Sequence, residues 1–210
     1  MTATELDDTA TGSDTRARTA DWVTLSTPDG PFTVIADDAG RVLASGWTDD
    51  PGYLAVLVSP SLRPATLRAG RDLSAITDAV TAYYNGDHEA PDAVEVVQRS
   101  GPFLERAWEA LRTVRPGEPV TYTALAALAG GPLAVRAAAS SCARNAAALF
   151  VPCHRVLRSD GTLGGFRYGL EIKQSLLNRE ALDGRREPAR PLAAALGTET
   201  VGGRRHHLQM

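Results

Sequence analysis

The sequence predicts an α/β protein in two units: a small N-terminal α/β domain built on an antiparallel sheet, then a mainly helical C-terminal domain carrying a helix-turn-helix. Three observations predict it. Short β-type runs divided by turn-rich spacers fill residues 22–47, helical periodicity dominates from residue 102 onward, and the polar stretch from Asp87 to Ala93, with its one proline, reads as a linker. The boundaries expected are a disordered tail over 1–20, an α/β domain over 21–92, a helical domain over 96–182 and a second disordered tail over 183–210.

The three β-type runs are Trp22–Ser26, Phe32–Ala36 and Arg41–Trp47. Pro28-Asp29-Gly30 and Asp37-Asp38-Ala39-Gly40 separate them, and such spacers turn antiparallel hairpins. Residues 51–70 are less regular, and Tyr53–Val58 is read as a further strand. From Asp72 to Tyr84, Leu73, Ile76, Val80 and Tyr83 recur at helical spacing until Asn85-Gly86 stops them.

In the second unit Ser100-Gly101-Pro102 opens a helix with Phe103, Leu104, Ala107, Trp108, Leu111 and Val114 on one face, ended by Pro116-Gly117. Thr121 can cap a short helix through Leu128, and Gly130-Gly131-Pro132 turns the chain into another from about Leu133 to Arg144. Helix, glycine turn, helix is the outline of a helix-turn-helix, although any α-hairpin shares it.

With 43% hydrophobic residues in 210, the chain can bury a sizeable core. No apolar run is long enough to span a membrane, and the acidic start MTATELDDTATGSD lacks the features of a signal peptide. A soluble cytoplasmic protein is expected. The net charge of -3 hides an asymmetry: residues 1–100 hold 7 Arg against 16 acids, whereas residues 101–180 hold 10 basic groups against 6 acids. A polyanion, if one binds, binds the second unit.

Chemistry concentrates in Val151-Pro152-Cys153-His154-Arg155-Val156, followed by Gly161, Gly164-Gly165 and a helix from about Leu170 to Glu180. A thiol attacks as its thiolate, so a reactive cysteine needs a base or cation beside it, and His154 can serve. A buried, inert Cys beside a structural His has the same local sequence. The other cysteine, Cys142, is also expected to be free. With one His and no Cys before residue 100, no metal site is expected there, and no cofactor is implied.

This segment resembles the signature of the methylated-DNA-protein-cysteine methyltransferases, the O6-alkylguanine-DNA alkyltransferases. The resemblance extends over Gly117-Glu118-Pro119-Val120-Thr121-Tyr122, Leu125-Ala126, Ala134-Val135-Arg136-Ala137, Asn145 and Gly169-Leu170…Lys173…Leu176-Leu177…Glu180, from about residue 100 to 180. It implies a ribonuclease-H-like first domain and a winged-helix-like helix-turn-helix. It also implies a single-use reaction in which the alkyl group of O6-alkylguanine, and secondarily O4-alkylthymine, moves from duplex DNA to Cys153. His154 would take the thiol proton through a water, Glu180 would hold the imidazole, and Tyr122 would donate to the departing guanine.

By the same resemblance Arg136 would fill the gap left by a flipped nucleotide, in a helix whose small residues, Ala137 and Ser140 among them, approach the minor groove. Thr121, Tyr122 and Arg144 complete the expected DNA surface, with Arg155 and Arg158 as further candidate phosphate contacts. The backbone at Val156 and the loop Gly164-Gly165-Phe166-Arg167 would line the base pocket, and Asn145 would tie the helix-turn-helix to it. Ala146 and Ser140-Ser141 depart from the family pattern at the end of that helix. The expected partner is duplex DNA with an alkylated guanine, bound by a monomer or by a cooperative assembly on DNA. The rival readings are an alkyltransferase-like protein, which would bind the lesion without transferring the group and would lack the acceptor cysteine present here as Cys153, a regulatory DNA-binding domain, which would prefer a promoter sequence, and a cysteine hydrolase, which would turn over repeatedly.

Overall fold

The computed structural model describes residues 18–70 and 72–183, so nearly all of both expected tails lies outside the described residues. The first strand begins inside the expected tail: β1 (Thr19–Thr27) is anchored by Ala20, which is fully buried. It pairs antiparallel with β2 (Gly30–Asp37), and β2 pairs antiparallel with β3 (Val42–Gly46). These hairpins stand where the turn spacers predicted them.

The next segment differs from expectation. Residues Pro51–Leu57 form a helix, α1, and not the strand read at Tyr53–Val58. Asp50 caps it, accepting from the Tyr53 amide at 3.0 Å, and Pro51 starts it with its φ already suitable. Leu54 and Val58 are buried while Val56 is exposed, which is helical spacing. A short strand, β4 (Thr66–Ala69), then lies parallel to β1, giving the order β3-β2-β1-β4. The sheet is therefore mixed, where an antiparallel one was expected. Parallel pairing needs a crossover, and α1 with the loop after it supplies one.

Helix α2 (Ser74–Tyr84) covers one face of this sheet and ends at Asn85-Gly86 as predicted. The segment after it is more than a spacer, since it forms a 3₁₀ turn at Ala90–Ala93 and buries His88 and Pro91. Helix α3 (Pro102–Arg112) buries Ala107, Trp108 and Leu111. A two-residue strand β5 (Val120–Thr121) leads into α4 (Tyr122–Leu128), capped by Thr121 Oγ1, which accepts from the Ala124 amide at 3.1 Å. Helix α5 (Val135–Arg144) follows the glycine turn and is bound to α3 by the Trp108 indole, which donates to the Ser141 carbonyl at 2.9 Å. A 3₁₀ turn (Cys153–Arg155), β6 (Val156–Leu157, parallel to β5) and α6 (Leu170–Asp183) complete the described chain.

One core cluster draws Phe32, Val34 and Tyr83 from the first unit together with Trp108, Phe150 and Leu176 from the second. The outer edge of β3 is covered by backbone of the segment joining the units and of the second unit. Val42 N–H donates to the Glu95 carbonyl at 2.8 Å, and Ser45 N–H donates to the Ala146 carbonyl at 2.8 Å. Edge groups are thereby paired, and the sheet becomes the platform for residues 145–151. Among the described residues no helix is long and apolar enough to cross a membrane.

Candidate active site

The chain reverses sharply between the end of α5 and Cys153, and Asn145 bridges the reversal. Its Oδ1 accepts from the Ala147 amide at 3.1 Å and its Nδ2 donates to the Val151 carbonyl at 2.8 Å. Within this turn Leu149 takes φ 75°, a left-handed conformation that a leucine rarely adopts, and its burial at 2% exposure holds it there. Gln98, from the segment joining the units, donates to Asn145 Oδ1 at 3.0 Å and accepts from the Ala146 amide at 2.8 Å. Nothing in the spacing of Gln98 announces this role.

Pro152 then starts the 3₁₀ turn that presents Cys153 to a cavity of about 350 Å³. Of the residues expected around the site, Tyr122, Asn145, Gly165, Phe166 and Arg167 line it with Cys153. The structure adds Ala139, Cys142, Ala143, Ala148 and Tyr168 to the lining. Small side chains on the inner side of α5, Ala139, Cys142 and Ala143, leave the space, a role that a run of small residues cannot advertise in sequence. The wall at Phe166 and Tyr168 stands on the first unit: both rings pack on Trp47, with centroids 5.9 and 5.5 Å away, and the Tyr168 hydroxyl donates to the Ser45 carbonyl at 3.1 Å. A Cβ at Gly46 would collide with the Tyr168 ring, so β3 has to end in glycine there.

Two expected lining residues lie behind the wall. Val156 is buried and its carbonyl accepts from Lys173 Nζ at 2.6 Å, while Lys173 also donates to the Leu163 carbonyl. Gly164, at φ 65°, packs against the Tyr122 hydroxyl so closely that a Cβ would approach it to 2.9 Å. Both features support the loop between β6 and α6 and press it onto Tyr122.

His154 and Glu180 are fully buried, and His154 Nε2 lies 2.8 Å from Glu180 Oε1. Burial favours an un-ionised carboxyl, but the His154 ring and the Arg155 guanidinium overcome it and hold Glu180 down at about 2. An ionised carboxylate only accepts, so the proton of the neutral imidazole sits on Nε2. Burial in turn lowers the His154 pKa, against the pull of Glu180, so the ring rests neutral. Among the described residues no protein group hydrogen-bonds Nδ1. The imidazole thus keeps one basic nitrogen uncommitted.

Burial also pushes the Cys153 thiol above its ordinary pKa, although the Asn145 side chain, Lys173 and Arg167 pull the other way. The resting group is a thiol, and it needs a base to become a nucleophile. Cys142 shares the cavity, yet its thiol is also raised by burial and has no imidazole–carboxylate pair at its back.

Arg155 overturns one expectation. It is 2% exposed, binds both oxygens of Glu180 and donates to the Val114 carbonyl at 2.6 Å, so it is no phosphate contact. Arg136, Arg144 and Arg158 are exposed. Arg136 lies in the first turn of α5, with Ala137 and Ser140 half-buried beside it, and the Ser140 hydroxyl donates to the Arg136 carbonyl at 3.0 Å. Among the described residues no cluster of His, Cys, Asp and Glu is arranged to hold a metal ion.

Fold and site together define a thiol protein whose cysteine opens into a cavity walled by the second helix of a helix-turn-helix. Residues 102–182 match the family described as 6-O-methylguanine DNA methyltransferase, DNA binding domain. The chain is 30% identical over 158 residues, 74% of its length and 92% of the relative's, to the methylated-DNA-protein-cysteine methyltransferase of Salmonella typhimurium. It is 53% identical over 83 residues to the Escherichia coli bifunctional transcriptional activator/DNA repair enzyme Ada, a match spanning 23% of that longer protein. Its backbone superposes on Mycobacterium tuberculosis OGT in complex with DNA with TM-score 0.63 at 27% identity, over 77% of this chain and 93% of the other. The chain belongs to the methylated-DNA-protein-cysteine methyltransferase family.

Proposed function

We propose that the protein repairs duplex DNA by transferring the alkyl group of O6-alkylguanine to Cys153, once and irreversibly, after the nucleotide has been flipped out of the stack. One observation carries this reading: a buried thiol lies at a cavity beside α5, next in sequence to a neutral imidazole whose far nitrogen is bound to an ionised, buried carboxylate. The family's names and the OGT–DNA complex support DNA as partner.

The steps follow from these groups. His154 Nδ1 takes the Cys153 proton, directly or through a water, and Glu180 stabilises the resulting imidazolium. The thiolate sulfur forms a bond to the alkyl carbon as the carbon–O6 bond breaks, and its electron pair is left on the purine. The Tyr122 hydroxyl, raised by burial and so held protonated, donates to a ring nitrogen of the leaving guanine. Overall the thiol loses one proton, the purine gains one, and the thioether has no path back to a thiol. No cofactor enters.

In this reading Arg136 fills the space vacated in the duplex, Ala137 and Ser140 let α5 approach the minor groove, and exposed Arg144 and Arg158 meet phosphates. Helices α4 and α5, with the β5–β6 pair beside them, act as the winged-helix-like reader of the expected fold.

Intact-mass analysis and peptide mapping after incubation with duplex DNA bearing O6-methylguanine test the proposal. The expected result is one methyl group per protein, on Cys153, with DNA binding retained and methyl uptake lost in Cys153→Ala. A methyl group on Cys142, or repeated turnover, overturns it.

A further inference from the structure

Glu180 Oε1 receives donors from two regions far apart in sequence. His154 and Arg155 reach it from the 3₁₀ turn, Arg155 through Nε at 3.2 Å and Nη2 at 3.1 Å. The third donor comes from α2, in the other unit: the hydroxyl of Tyr83 donates to the same oxygen at 3.0 Å. Tyr83 is fully buried in the common core, where a phenylalanine would fill the same volume. The hydroxyl therefore needs an explanation that packing does not supply.

We propose that Tyr83 is a positioning residue for the thiol relay: its hydroxyl fixes Glu180 and draws charge from Oε1, so that His154 rests as a neutral imidazole with Nδ1 available. This rests on the reading that His154 takes the proton of Cys153. A carboxylate with no competing donor pulls more strongly on a proton at Nε2 and charges the ring, which removes the base before substrate arrives. A carboxylate free to rotate fails to hold the ring's tautomer. Tyr83 acts against both.

Glu180, Arg155 and Lys173 act on the His154 ring, while His154, Arg155 and Tyr83 act on Glu180, with Asp92 further out behind Arg155. Arg155 neutralises much of the Glu180 charge, and Tyr83 adjusts the remainder at the atom that faces His154. The Tyr83 ring is itself set edge-on against the His88 ring, with centroids 5.0 Å apart, and the His88 carbonyl accepts from Arg155 at 3.4 Å. The end of α2 and the residues just after it thus hold the back of the relay as a unit.

The experiment is an NMR titration of His154 in unreacted full-length protein, one of only four histidines, for the parent, Tyr83→Phe and protein carrying 3-fluorotyrosine at position 83. The His154 pKa is expected to rise in Tyr83→Phe and to fall with the fluorinated ring, whose hydroxyl is the stronger donor. The fluorinated protein keeps the volume and hydrogen bond, so it decides the matter if Tyr83→Phe does not fold. In parallel, the single-turnover rate with free O6-benzylguanine is measured against pH. Tyr83→Phe should move the acid limb to higher pH, with a several-fold loss below it and little loss on the plateau, and should add no further shift in a Glu180→Gln background. An unmoved His154 titration in folded variants overturns the proposal and leaves Tyr83 as core alone. A shifted titration in a protein that takes up no alkyl group leaves the positioning role standing and removes the functional reading.

Discussion

The helical unit lines the cavity, and the sheet unit braces it from behind. All of its lining residues come from position 122 onward. The first unit contributes from behind: Tyr83 to Glu180, Ser45 to the Ala148 carbonyl at 2.7 Å, and Trp47 beneath Phe166 and Tyr168. The reacting groups are thus local to one stretch of chain, while the angles at which they are held depend on long-range contacts. The family model covers residues 102–182, the stretch that holds the reacting groups, and the likeness in three dimensions to OGT takes in the scaffold as well, over 77% of the chain. A scaffold can keep its contacts with many side-chain combinations, but a thiol relay cannot.

The largest expected effect tests whether the two units are one cooperative body. Glu180 has a folded pKa of about 2, well below the ordinary 4.5, so the stability it contributes is fully present above pH 4.5 and is lost as pH falls toward 2. His154, also lowered by burial, adds to the loss on the acid side of its ordinary 6.5. The Glu180 contribution is about 3 kcal/mol. Acid titration followed by tryptophan fluorescence and far-ultraviolet circular dichroism should show one transition, steeper in the parent than in Glu180→Gln. Separate transitions for Trp47 and Trp108 would divide the units and break the comparison.

The next effect is confined to the reacting side. Glu180→Gln keeps the shape of the side chain but removes the charge that favours the imidazolium, so the single-turnover rate at pH 7 should drop by about one or more orders of magnitude. Part of the loss should return as pH rises toward the range where the thiol ionises unaided. An unimpaired, folded variant would make Glu180 a structural carboxylate and nothing more.

Arg136→Ala sharpens the contrast between chemistry and DNA handling. Repair of the duplex should weaken by about tenfold, because only the duplex requires extrusion of the base, while reaction with free O6-benzylguanine stays near the parent rate. Equal losses on the two substrates would assign Arg136 to the fold.

Ser45→Ala probes the scaffold alone. It leaves a buried Ala148 carbonyl without its side-chain donor, at a cost of about 1–2 kcal/mol in urea unfolding. The alkyl-transfer rate of the folded fraction should hold. A fall in rate larger than the fall in stability would show that β3 tunes the pocket as well as supporting it.

Sequence by itself determined what is short-range. Hairpins at Pro28-Asp29-Gly30 and Asp37–Gly40, the stop of α2 at Asn85-Gly86, the Thr121 cap and the glycine turn between α4 and α5 all depend on the chemistry of neighbouring residues, and all were legible. Cys153 and His154 were legible as a pair because they are adjacent, and Glu180 only through resemblance, since no local pattern joins residues 26 apart. Tyr53–Val58 was misread because apolar alternation and a short apolar helix face look alike when the Asp50-Pro51 start signal is passed over. Tertiary structure alone decided the rest. It laid β4 parallel to β1 and buried Arg155 against Glu180, where a phosphate contact was expected. It brought Gln98 to Asn145, Tyr168 to Gly46, and Tyr83 across 97 positions to Glu180. Each of these is a single polar or steric contact between distant segments. Such contacts leave no period in the sequence, because the partner that gives them meaning is brought in only by the packing of the common core.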